Sequence, residues 1–144
     1  MKGLDYSFAS TEADVKAALA VRLEVFVQEQ QVPPEEELDE YDKTARHLVA
    51  KEEGRIVATA RVYLPSPAEA RIGRMAVLKP YRRRGIGRRM LALLCEEAKR
   101  QGADKATLHA QWYARAFYSK YGFTETGEPF MEANIKHIGM EKAL

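Results

Sequence analysis

The sequence predicts an α/β fold of the α+β kind, with one mixed sheet, and three observations carry that prediction. Segments of two-residue apolar alternation and segments of helical apolar repeat share one chain of 144 residues. Three strand candidates follow one another with no helix between them, unlike the regular alternation of a doubly wound parallel sheet. No internal repeat or low-complexity linker interrupts the chain, so residues 1–144 are expected to form a single domain, which at this length buries about two-thirds of its unfolded surface.

The first element is a strand over residues 4–9 (LDYSFA), where apolar and polar residues alternate. Ser10 or Thr11 then caps a helix predicted to reach about Val27, with Val15, Leu19, Leu23 and Phe26 as its apolar stripe. Pro33-Pro34 ends it, and the acidic run that follows reads as a loop or short helix. Strands over 46–53 and 55–64 meet at Glu53-Gly54 in a hairpin, and Pro65 and Pro67 close the second. Residues 70–78 form another strand, in which Gly73 marks a bulge or a close backbone approach. A helix from Gly85 to about Arg100 buries Ile86, Met90, Leu93, Leu94 and Ala98, and Gly102 terminates it. A short strand over 106–111, a helix over 114–121, and strands over 123–130 and 136–142 complete the chain.

Composition excludes some classes. A hydrophobic fraction of 46% and a charged fraction of 31% are those of an ordinary globular protein. No apolar run has the roughly 18 residues of a membrane-spanning helix, and the first ten residues lack the apolar block of a signal peptide. The lone Cys95 forms no intramolecular disulfide and reads as core filler, so a reducing, cytoplasmic setting is expected. Three histidines and one cysteine at scattered positions show no metal-ligand spacing, and no metal is expected.

Net charge is only +2, but the charges are unevenly placed. Residues 35–42 (EEELDEYD) hold six acids in eight positions, and residues 82–89 (RRRGIGRR) hold five arginines in eight. Such blocks are often solvated faces; the alternative is one site for a cationic ligand and another for an anionic one. The arginine block favours the second reading because it lies in a turn between a strand and a helix. Backbone N–H groups at a helix start are unpaired, the helix dipole is positive there, and phosphate binds to that combination. Gly85 and Gly87 let a pyrophosphate approach the main chain, while Arg82, Arg83, Arg84, Arg88 and Arg89 add forked donors. The turn is neither a Walker loop nor a dinucleotide fingerprint, since no G-x-x-x-x-G-K-[ST] occurs and Met90 stands three positions after Gly87. With no second basic stretch and no stacking ladder, nucleic acid is not the expected ligand.

The pattern Arg82-x-x-Gly85-x-Gly87, directly after a strand ending in Met75-Ala76-Val77, resembles the acetyl-CoA signature of the GCN5-related N-acetyltransferases (GNAT). Residues 116–123 (AFYSKYGF) resemble that family's second landmark, a helix bearing a tyrosine followed by Gly-Phe. The resemblance covers nearly the whole chain. It narrows to the ElaA/YjcF-like branch on residues 25–30 (VFVQEQ), Glu37-x-Asp39-x-x-Asp42, Arg46-His47 and His137-Ile138-Gly139-Met140.

The resemblance implies a central, mostly antiparallel sheet flanked by helices, the acyl-CoA N-acyltransferase fold. It also implies transfer of an acetyl group from acetyl-CoA to a primary amine by direct attack in a ternary complex. The backbone of Met75, Ala76 and Val77 would receive pantetheine and polarise the thioester carbonyl. The turn from Arg82 through Ile86 to Arg89 would hold the pyrophosphate, and Tyr118 would protonate the leaving thiolate. Gln111 would orient cofactor or acceptor.

On the acceptor side Glu29, Asp39 and Asp42 attract an amine, with Asp42 or Glu29 as its base, or else they form salt bridges with Arg22, Arg46 and Arg61. His47 and His137 suit base chemistry or satisfy backbone hydrogen bonds. The compact chain points to a small-molecule amine rather than a protein. Family members commonly dimerise, so a homodimer stays open.

Two other readings stand beside this one. Arg22-x-x-Val25-Phe26, the acidic motif and Arg61 resemble acyl-homoserine-lactone synthases, although those lack the R-x-x-G-x-G turn. A non-catalytic acyl-CoA sensor would keep the turn and lose Tyr118.

Overall fold

The computed structural model describes residues 3–144. Seven strands form one sheet: β1 (Asp5–Phe8), β2 (Arg46–Glu52), β3 (Arg55–Ser66), β4 (Glu69–Val77), β5 (Lys105–Gln111), β6 (Thr124–Glu132) and β7 (Ile135–Ala143). Their spatial order is β1-β2-β3-β4-β5-β7-β6. Every pairing is antiparallel except β4 with β5, which run parallel over Glu69–Arg71 against Lys105–Thr107. This is the α/β arrangement with a mixed, mostly antiparallel sheet and flanking helices that the sequence leads one to expect.

Two tight turns set the hairpin registers. Glu53 and Gly54 both have positive φ (50° and 84°), the backbone of a two-residue turn whose twist matches the strands. Ala133 (φ 51°) and Asn134 (φ 63°) do the same between β6 and β7. Alanine is a poor signal for that conformation. The strands expected to stop at 130 and restart at 136 therefore run on to Glu132 and resume at Ile135.

Two layers of helix cover the sheet. Helix α3 (Ile86–Arg100) and the short α4 (Arg115–Lys120) lie on one face, where Met90, Leu91 and Leu94 pack with Leu48, Ala60, Ile72, Leu108 and Ile138. On the other face, helix α1 (Glu12–Arg22), capped by the Thr11 side chain on the Asp14 N–H, packs on Val49, Val57 and Ala76. Its chain continues through a wider π-helical turn, Leu23–Glu29, to α2 (Pro34–Glu37). The predicted stripe of Val15, Leu19, Leu23 and Phe26 is only half-buried; the side chains turned fully inward are Ala18, Val21, Arg22 and Val25. Cys95 sits half-buried on α3, its thiol pKa pushed up by burial. No helix among the described residues is long and apolar enough to cross a membrane.

An arginine occupies a core position because acids meet it there. Arg22, 1% exposed, donates to Glu37 Oε1 at 2.8 Å and Asp42 Oδ1 at 2.6 Å. Arg61 donates to both Asp39 oxygens (2.6 and 2.7 Å) and to Asp42 Oδ1 at 2.7 Å. The network ties α1 and the acidic segment to β3. Burial raises the Asp42 carboxyl, but the Arg22 hydrogen bond and charge, the Asp39 N–H and Arg61 outweigh it and hold the pKa at about 2.

Asp42→Asn is expected to cost about 3–5 kcal/mol in denaturant unfolding at neutral pH, because it leaves Arg22 and Arg61 short of a buried counter-charge. The folded carboxyl titrates below the unfolded value of about 3.9. Its stabilisation is therefore present above that pH and is lost as pH falls towards about 2. The gap between wild type and variant should close over that interval.

Candidate active site

The site begins with an irregularity in β4. Thr59 of β3 faces Ala76 and Arg61 faces Gly73, so Arg74 and Met75 together oppose the single residue Ala60. This is a bulge, and it bends the strand. The irregularity expected at Gly73 falls on its neighbour: Arg74 takes the left-handed conformation, φ 54°. Such a backbone costs about 1–3 kcal/mol in a non-glycine residue. The Arg74 guanidinium offsets it by donating to the Glu37 carbonyl (3.1 Å), the Glu36 carbonyl (3.3 Å) and Asp39 Oδ2 (3.1 Å). Beyond Arg71, β4 leaves β5, and the edge that carries Met75, Ala76 and Val77 has no strand beside it.

The split opens a cleft of about 1470 Å³, lined from both faces of the sheet. That volume exceeds the usual few hundred to about 1,000 Å³ of a single-ligand pocket. On the α3–α4 face it is lined by residues 82–88, Met75, Phe117 and Tyr118. On the other face it is lined by Phe26, Gln30, Asp39, Tyr63, His109 and His137, among others.

The arginine turn occupies the first mouth. Gly85 caps α3 in the left-handed conformation (φ 80°) with no side-chain cap, which leaves the first helical N–H groups open. A Cβ on Gly87 would stand 3.4 Å from Met75 Sδ and 3.5 Å from Phe117 Cζ, so the helix start lies close against β4 and α4. Arg82 clasps the turn shut, donating to the Val77 carbonyl and to Glu29 Oε2, each at 2.8 Å. Among the described residues, Arg83, Arg84, Arg88 and Arg89 have no acidic partner within salt-bridge distance; Arg84 lies over the Tyr81 ring. The three of these that line the cleft, Arg83, Arg84 and Arg88, lie beside open N–H groups and fit a polyphosphate.

Tyr118 lies just beyond. Phe117 meets its ring edge-on at 5.1 Å, and its hydroxyl has no hydrogen-bond partner among the described residues. Burial, with Tyr113 nearby, pushes the phenol up to about 12. It stays a proton donor over the physiological range.

At the second mouth, Gln111 donates to Gln30 Oε1 at 2.9 Å, joining the end of β5 to the π-helical segment. His137, the cross-strand partner of Gln111, is 6% exposed and bonds through Nδ1 to the Ile135 carbonyl at 2.7 Å. Glu132 and His109, neither foreseen from the sequence, complete this wall, with His109 Nδ1 3.1 Å from Glu132 Oε1. The hydrogen bond from His109 is the largest influence on Glu132 and holds its carboxyl below the ordinary value. The stacked rings of Tyr41 and Tyr63, 4.4 Å between centroids, form a shelf on the same side.

Met75, Val77, Arg82, Arg83, Arg84, Gly85, Ile86, Gly87, Arg88, Gln111, Tyr118, Asp39 and His137 thus line one cleft. Arg89 and Ala76 do not, and the Ala76 side chain packs under α1. Glu29, Asp42 and His47 also lie outside the lining. Glu29 and Asp42 are held in the ion pairs with Arg82, Arg22 and Arg61, whereas Arg46 turns to Glu97. His47 Nε2 meets the Asp42 carbonyl at 3.0 Å.

A bulged β4 parting from β5, with a basic turn at one mouth of the gap, defines the acyl-CoA N-acyltransferase fold class. Comparison with known proteins identifies the family: residues 9–144 match the model of the acetyltransferase (GNAT) domain, and the chain belongs to that family. It is 36% identical over 135 residues to the uncharacterized N-acetyltransferase YjcF of Bacillus subtilis (strain 168), covering 93% of this chain and 96% of that protein. A putative N-acetyltransferase from Lactobacillus plantarum superposes with a TM-score of 0.91 at 28% identity, over 99% of both chains. Escherichia coli ElaA superposes with a TM-score of 0.86 at 26% identity, over 96% of this chain and 99% of that one. A GNAT acetyltransferase from Elizabethkingia anophelis, solved with acetyl-CoA bound, has the same fold at 18% identity, with a TM-score of 0.74 over the full length of both chains.

In an ultraviolet titration, the difference between wild type and Tyr118→Phe should show phenolate absorbance only near Tyr118's raised value of about 12. Absorbance appearing near the ordinary value of about 10 would mean that the hydroxyl is solvated.

Proposed function

We propose that the protein is an N-acetyltransferase that moves an acetyl group from acetyl-CoA to a small primary amine by direct attack, with both bound at once. One observation carries this reading: Arg83, Arg84 and Arg88, with no acidic partner among the described residues, open onto the same cleft as the Tyr118 hydroxyl, which has no hydrogen-bond partner among them. The acetyl-CoA held by the Elizabethkingia anophelis protein, on the same fold, supports the choice of donor.

When bound, acetyl-CoA supplies a thioester whose carbonyl carbon a neutral amine can attack. Arg83, Arg84 and Arg88, with the N–H groups that follow Gly85, hold its phosphates. The free edge of β4 at Met75–Val77 receives the pantetheine arm and directs an N–H at the thioester oxygen. Tyr118 donates its hydroxyl hydrogen to the departing sulfur. With the phenol near 12 and an ordinary thiol near 8.5, that donation is a hydrogen bond to a thiolate rather than a completed transfer. The second mouth, on the α1 face, admits the amine, so no covalent enzyme intermediate is needed and juxtaposition supplies much of the rate.

Calorimetric titration with acetyl-CoA, desulfo-CoA and ATP tests the donor. The two CoA compounds should bind well and ATP much more weakly; no binding of either CoA compound refutes the proposal. Tyr118→Phe should lower turnover at least about tenfold with nearly unchanged acetyl-CoA affinity, and wild-type turnover would remove Tyr118 from the mechanism. Gly85→Val should abolish acetyl-CoA binding, because a branched side chain at φ 80° is strained and would crowd the phosphate. Undiminished affinity would show that the phosphates lie elsewhere.

A further inference from the structure

The second mouth of the cleft contains a hydrogen-bond chain whose protons can be assigned from the partners alone. Arg71 only donates, so its Nη1, 3.2 Å from His109 Nε2, makes that nitrogen an acceptor and leaves the His109 proton on Nδ1. Nδ1 therefore donates to Glu132 Oε1 at 3.1 Å. From the other side the Ile135 carbonyl only accepts, so His137 Nδ1, 2.7 Å away, must carry a proton. Neutral His137 then presents a bare Nε2 lone pair, and the atom facing it, 3.7 Å away, is Glu132 Oε2.

Two acceptors stand opposite one another with no hydrogen assigned between them. An ammonium group beside the pair can donate to both at once.

The surroundings hold this pair in place, and no arginine or lysine among the described residues forms a salt bridge to it. Phe130 stacks on His137 at 5.9 Å and meets His109 edge-on at 4.9 Å, which fixes both rings. The nearby cations are engaged elsewhere: Arg71 also donates to Thr107, Arg74 binds Glu37 and Asp39, and Lys136 lies over the Trp112 ring at 3.9 Å. His137 pairs across the strands with Gln111, where β5 ends beside the split, so the site lies on the α1 face of the opening, across the sheet from Tyr118.

We propose that Glu132 and His137 form the acceptor site of the acetyl transfer, Glu132 Oε2 holding the substrate ammonium and His137 Nε2 taking its proton; this rests on the reading given under Proposed function. The ammonium gives one proton to His137 and becomes a neutral amine. Its lone pair forms the C–N bond as the C–S bond breaks. The sulfur leaves as a thiolate held by the Tyr118 hydrogen bond. The second proton lost by nitrogen and the proton on His137 both pass to solvent, and the thiolate takes up its proton from solvent. Charge on the resulting imidazolium is stabilised by Glu132. His109 and Arg71 are positioning residues, which keep Oε1 occupied so that Oε2 faces the cleft.

The test is nitrogen NMR of the full chain labelled at histidine, at about pH 8, where an ordinary imidazole is mostly neutral. The probe is methylammonium chloride, compared with sodium chloride at equal ionic strength. His137 should show a protonated Nδ1 and a bare Nε2, and methylammonium alone should move the Nε2 signal. In Glu132→Gln, a variant at a half-exposed position that retains the shape, apparent methylammonium affinity should fall about tenfold. A proton on Nε2 without the probe, an equal response to sodium chloride, or a Glu132→Gln response equal to wild type would overturn the assignment.

Calorimetry with acetyl-CoA separates this result from the wider reading. Wild type, Glu132→Gln and His137→Gln should bind it alike. If wild type fails to bind, the transfer reading falls and the acceptor role falls with it, while the methylammonium response still identifies an amine pocket.

Discussion

Arg74 adopts a backbone angle that residues with side chains avoid, and the cleft depends on its being held there. Its guanidinium is fastened to two carbonyls and a carboxylate of the acidic segment. That segment is in turn fastened to Arg22 and Arg61. The bulge at Arg74 and Met75 turns β4 away from β5, and the divergence makes the opening. Three arginines and three acids, drawn from α1, the acidic segment, β3 and β4, therefore set the geometry of a gap that they only partly line. A buried network of this kind gives little net stability over an apolar core but much penalty for losing one member.

Electrostatics differs between the two mouths. On the α3 side, Arg83, Arg84 and Arg88 have no acidic counter-charge among the described residues, an arrangement that self-repulsion disfavours unless an anion is present. On the α1 side Glu37, Asp39, Arg61 and Arg74 are paired with one another, and Glu132 Oε2 and His137 Nε2 are left as facing acceptors. The sheet between them keeps the two sets apart.

The parts of the site carried by contiguous sequence were legible before the structure. The turn from Arg82 to Arg89 and the helix bearing Tyr118 are local: charge and glycine spacing marked the turn, and the resemblance to the family marked Tyr118. The acidic run was legible as charge, but both readings of Asp39 and Asp42 were open; only the fold brings Arg22 and Arg61 to them and sends Arg46 to Glu97 instead. The stripe of α1 was misplaced because a hydrophobic pattern has no means to score a buried arginine. Glu132, His109 and Arg71 were invisible for a different reason. They come from β6, β5 and β4, and the order β4-β5-β7-β6 brings them together over 38 residues of sequence separation between Arg71 and His109 alone. The turn that places Glu132 at the end of its strand rests on an alanine with φ 51°, which sequence preference argues against.

The opening runs through the sheet rather than lying on it. Molecules that arrive from opposite faces reach its middle without sharing a doorway, so neither blocks the other's entry or exit. Either order of arrival leaves the second path clear, and each mouth can change its own lining through evolution without disturbing traffic at the other.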